Sequence, residues 1–137
     1  MLQDDPWIVV HGREGPRGAA LRRVLGAADV LWALEQALRS GHVGAVLAWL
    51  PESLRADALR RLQLAAQAHD GPVFLLRGIE ARLKPSPAPL RLALHPSGPD
   101  GLTLQILKRR GPPQARALVL DLPPVASAQR VPLAVPA

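Results

Sequence analysis

At 137 residues with 48% hydrophobic content, the chain has the size of one domain that buries its own core. It contains no Cys, which excludes disulfides and thiolate metal sites and points to a reducing compartment. The net charge of +6 comes almost entirely from Arg, since Lys84 and Lys108 are the only lysines; it fits either a polyanionic partner or a solvated basic surface.

The N-terminus, Met1-Leu2-Gln3-Asp4-Asp5, is acidic and has no signal-peptide pattern. No apolar run approaches the ~18 residues of a spanning helix. The expected location is therefore the cytoplasm. Pro6 to Val10 is rich in β-formers and predicts a first strand. His11 to Gly18 is a loop, with Gly12, Gly15, Pro16 and Gly18. It resembles a phosphate loop only in glycine content, because it lacks the Gly-Lys-Ser/Thr ending that supplies the phosphate lysine and the Mg²⁺ hydroxyl. Leu21 to Leu25 reads as the start of a helix that Gly26 interrupts.

Asp29 to Leu50 organises the chain. Asp29 is placed to cap a helix. Leu31, Leu34 and Leu38 make one apolar stripe along it, and Ser40-Gly41 ends it. Ala45 to Leu50 is apolar without alternation, which predicts a parallel strand covered on both faces, with Trp49 in the sheet core. After Pro51, Ser53 or Glu52 can cap a second helix to about Ala68. Its apolar face is Leu54, Ala58, Leu59, Leu62, Ala65 and Ala66; its polar face is Arg55, Arg60, Arg61, Gln63 and Gln67. Gly71-Pro72 breaks it, and Pro72 to Arg77 is the next buried strand. The proline-rich stretch Lys84 to Pro89 belongs to a loop.

The pattern then changes to alternation. Leu90, Leu92, Leu94 and then Leu102, Leu104, Ile106 form a hairpin around the turn His95 to Gly101. Lys108-Arg109-Arg110-Gly111-Pro112-Pro113 is a basic corner, and Arg116 to Leu122 is one more strand. Pro123 to Ala137 has four Pro and no period, which predicts a disordered tail.

No constellation supports catalysis. His11, His42, His69 and His95 lie at element ends with no ligand partner at helical spacing, as turn or cap residues do. No Ser sits in a nucleophile elbow. Glu35 and Glu80 form no acid–base pair, and Glu35 falls on the solvated side of its helix. Nucleotide-binding α/β proteins end a central strand in an acidic residue that holds Mg²⁺; here that strand ends Trp49-Leu50-Pro51.

The element order resembles the second half of a RecA-type core. Leu31 to Gly41, Arg60 to Ala66 and Ile106 to Gly111 are similar to ImuA, the RecA-like, SulA-related accessory family of bacterial translesion synthesis. The resemblance spans about Ala28 to Pro124 and lacks the family's N-terminal nucleotide-loop portion. It implies an α/β fold: a partial RecA-like core, a parallel sheet flanked by helices and extended by an antiparallel β-hairpin. It divides the chain into residues 1–27 (strand and loop), 28–122 (truncated RecA-like domain) and 123–137 (tail). It further implies a non-enzymatic accessory protein of the SOS response, without cofactors, metal or small-molecule substrate. The implied partners are the RecA filament, an inactive Y-family polymerase and the translesion polymerase, with weak direct DNA binding and no membrane contact. Lys108 and Arg110 occupy the places of two RecA lysines that reach a neighbouring protomer, with Arg109 between them, so these three are the candidate partner-binding residues. Three other readings are a SulA-like division inhibitor that binds the tubulin-like protein FtsZ, a degenerate ATPase, and an inactive truncated product.

Overall fold

The computed structural model describes residues 7–12, 19–23, 26–52 and 54–123, with side chains from Ala28 onward. Of the predicted loop from His11 to Gly18 only His11 and Gly12 are described, and both belong to a strand; the tail beyond Pro123 lies outside these residues. The cap expected at Ser53 or Glu52 is displaced: the second helix has Arg55 as its N-cap, with no side-chain cap bond. The elements are β1 (Trp7–Gly12), β2 (Ala19–Arg23), α1 (Ala27–Arg39), β3 (Val43–Trp49), α2 (Ala56–Gln67), β4 (Val73–Leu76), a 3₁₀ turn (Ile79–Leu83), β5 (Arg91–Pro96), β6 (Gly101–Lys108) and β7 (Leu118–Asp121). They fall into two compact units, Met1–Pro89 and Leu90–Ala137.

The first unit is a four-stranded sheet of order β2-β1-β3-β4. Only β3 and β4 run parallel among the described residues, with α2 as their crossover; β1 is antiparallel to both of its neighbours. The helix expected to start at Leu21 is instead the end of β2, which pairs with β1 in register Val9↔Leu21. A short Gly- and Pro-containing connection makes that hairpin a local event, and sheet pairing overrides the helical propensity of Ala-Ala-Leu-Arg-Arg.

Helix α1 begins one turn before the expected cap. Gly26 is the N-cap with no side-chain cap bond, and Asp29 lies inside the first turn, where its charge complements the helix dipole. The C-terminal stop is as expected: Ser40 Oγ accepts from the His42 N–H (3.3 Å), and Gly41 takes the left-handed φ of 72°. Its buried stripe is Val30, Leu34 and Leu38, with Leu31 half-buried. Helix α2 buries Ala58, Leu59, Leu62 and Ala65, the expected face. Both helices pack into one core with Val46 and Ala48 of β3 and Leu50 just after it, so they lie on the same side of the sheet. At the start of β4, Gly71 passes so close to the Gly44 carbonyl that a Cβ there would overlap its oxygen.

The second unit is a three-stranded antiparallel sheet, β5-β6-β7. The predicted hairpin is present, but β7 joins it by pairing with β6 and so makes a sheet separate from the parallel pair. The connection from Arg109 to Ala117 is short, and local antiparallel return is its natural path. Register places Leu92 with Ile106, Leu94 with Leu104, Leu102 with Leu120, and Leu104 with Leu118. Directly opposed residues share a face, so all of these aliphatic side chains lie on one side. Leu92, Leu94, Leu118 and Leu120 are exposed there.

Candidate functional site

The carboxyl ends of β3 and β4 are where open α/β sheets place ligands. Here Arg77 Nη2 and Lys84 Nζ both donate to the Glu52 main-chain oxygen, at 3.3 and 3.4 Å. They join the loop after β3 to the segment after β4. A shallow depression of about 230 Å³ in the same unit is lined by Ala56, Arg60, Pro85, Ser86 and Pro87. Apart from Arg60 its lining offers little polar chemistry. Leu50 is buried at the end of β3, in the place of the Mg²⁺-holding acid. Among the described residues no group of His, Asp or Glu side chains is arranged to hold a metal ion. At this end the Glu52 side chain, its carboxylate against Gly78, stands with the cations Arg77 and Lys84.

Lys108, Arg109 and Arg110 end β6 and open the following corner, and all three are exposed. They are not equivalent. Arg109 turns back on its own loop: Nε donates to the Pro112 carbonyl (2.7 Å) and Nη1 to Gln114 Oε1 (3.4 Å). It braces the Gly111-Pro112-Pro113 turn and is thereby spoken for. Arg110 makes no such bond among the described residues and projects its charge outward. The corner borders a hollow of about 360 Å³ that includes Ile106, Leu107, Pro113 and Gln114.

A second surface escaped the sequence reading. Because both helices cover one side of the first sheet, its other side carries Leu47 and Trp49 of β3 beside Phe74 and Leu76 of β4, paired Leu47↔Phe74 and Trp49↔Leu76. Phe74 is 58% exposed and Trp49 37%. The expectation that Trp49 is buried in the sheet core is therefore corrected. An unbroken apolar strand implies cover on both faces only when there are helices for both. Two helices on one side leave the other side open, and counting them against the strands is the signal that could have shown it.

Glu35 is also corrected. It is buried, not solvated, and the Arg61 Nη2 group straddles its carboxylate at 2.9 and 3.0 Å. The pair ties α1 to α2. The described His side chains remain apart: His42 is exposed, while His69 and His95 are half-buried in different units. No described helix is long and apolar enough to cross a membrane.

The family model described as Cell division inhibitor SulA matches residues 18–72. The Cell division inhibitor SulA of Edwardsiella piscicida is 37% identical over 83 residues, which is 61% of this chain and 48% of that protein. The chain thus spans about half the length of the curated relative it matches. No solved structure matches, so no fold neighbour supports the RecA-like reading. These similarities overturn the ImuA assignment and, with it, the translesion-synthesis function. The helix, Ser-Gly stop and apolar strand that carried much of the resemblance lie inside the SulA match. An amphipathic helix feeding an apolar strand is a packing pattern, which related families share and which does not by itself separate them.

Proposed function

We propose that the chain acts by binding, without catalysis, as a SulA-like inhibitor of cell division directed at FtsZ. The observation that carries this reading is the SulA match over residues 18–72, which takes in α1, β3 and α2 and ends just before β4. The open side of that sheet supplies what a protein-binding surface needs. Trp49 and Phe74 are exposed aromatic anchors on a flat apolar ground, the residue class that dominates interface energetics. Lys108 and Arg110 are assigned a secondary role, drawing an acidic target surface by charge. Such residues act mainly on the association rate, and salt weakens their effect.

Expression in a bacterial host and assembly of purified FtsZ test the reading together. The wild-type chain is expected to make cells filament and to reduce FtsZ sedimentation, with Phe74→Ala weakening both. Lys108→Ala/Arg110→Ala is expected to slow association and flatten its salt dependence. Normal division together with unaltered FtsZ assembly at saturating chain would sink the proposal.

A further inference from the structure

The second unit carries an asymmetry of charge that its apolar face shares. Among its described residues the cations gather at one end of the sheet. Arg91 and Lys108 are register partners there, Arg109 and Arg110 follow, and Arg116 lies just before β7 on the same side. The anions stand at the opposite end. Asp100 is in the β5–β6 turn and Asp121 pairs with Gly101. The aliphatic face lies between the two, with Leu92 42% and Leu94 47% exposed.

We propose that this face binds a second copy of the chain, sheet against sheet, about a two-fold axis lying between the sheets and perpendicular to the strands. The charge pattern selects that operator. An axis parallel to the strands would stack cations on cations. The perpendicular axis reverses one sheet and sets each Asp100–Asp121 end over the partner's basic end, so the same patch complements itself. The two apolar faces then meet as in a β-sandwich, ~10 Å apart. The face is small: three strands at ~4.8 Å and six residues at ~3.4 Å give roughly 15 by 20 Å. That is well under the ~800 Å² per partner of a standard interface, which makes this a weak, concentration-dependent dimer. The inference shares Lys108 and Arg110 with the division-inhibitor reading but uses neither Trp49, Phe74 nor FtsZ, and its test is read without FtsZ.

Sedimentation equilibrium of the full chain from about 1 to about 200 µM is the test. Wild type is expected to shift from monomer to dimer across that range. Leu94→Glu, at an exposed position, is expected to weaken association by at least ~10-fold while circular dichroism stays unchanged. Asp100→Lys/Asp121→Lys makes both ends basic, and Lys108→Glu/Arg110→Glu lowers the positive charge of the other end. Asp100→Lys/Asp121→Lys alone is expected to remain monomeric, Lys108→Glu/Arg110→Glu alone to associate more weakly than wild type, and the two mixed to associate more tightly than either alone. A wild type that stays monomeric throughout overturns the proposal. So does self-association that Leu94→Glu leaves intact, or a mixture of the two charge variants that associates no more tightly than either alone; either outcome would move the contact to the β7 edge or elsewhere.

Discussion

The two sheets of this chain are built from similar side chains and end in different states. In the first, β3 is apolar throughout and α1 and α2 close one side, leaving Val46, Ala48 and Leu50 in a core with Leu34 and Leu62. In the second, β5 and β6 alternate cleanly, yet the chain from Leu90 to Pro123 has no helix to lay over the apolar side. Hydrophobic pattern decides which residues share a face. Cover depends on whether another element is available to bury that face. A leucine at the right period is a core residue in the first unit and a surface residue in the second.

Stability measurements sharpen that contrast. Leu34 and Leu62 have almost no exposed surface, so truncating either leaves a cavity. Leu34→Ala is expected to cost about 3–4 kcal/mol in urea unfolding. A loss under about 1 kcal/mol would mean that α1 does not hold the core. Gly71→Ala should come next, at about 2 kcal/mol, because its methyl meets the rigid Gly44 carbonyl and not a movable side chain. An unchanged midpoint there would show that β4 can step away from β3. Arg61→Ala should cost about 1 kcal/mol by leaving the Glu35 carboxylate buried without its partner, less than a fully buried pair would because Arg61 is largely exposed. Restoring stability with Glu35→Leu in the same background checks that the cost is the stranded charge. Leu94→Ser should be smallest, below about 0.5 kcal/mol at dilution where the chain is monomeric. A larger loss would show that something covers the second sheet after all.

Much of the secondary structure was legible. The α2 face was read residue by residue, and Ser40-Gly41, the β5–β6 hairpin and the parallel β3–β4 pair with its crossover follow from period and turn chemistry. What could not be read was three-dimensional bookkeeping. The helical composition of Ala19 to Arg23 gave no hint of β2, because pairing with β1 decides it. Glu35 looked solvated because sequence places it on a face of α1 without showing that α2 and Arg61 lie against that face. The basic corner was found by charge alone, but only the geometry separates Arg109, bonded to Pro112 and Gln114, from Arg110. The open aromatic side of the first sheet required knowing that both helices choose the other side.

The joint between the loops after β3 and β4 has a consequence for genetics. Its acceptor is the Glu52 backbone oxygen, which every amino acid carries. Changing residue 52 alters the side chain and leaves the acceptor in place, so a scan of that position is blind to the contact. Its loss would register only from the donors, Arg77 and Lys84, two sites that lie far along the chain from the residue they hold.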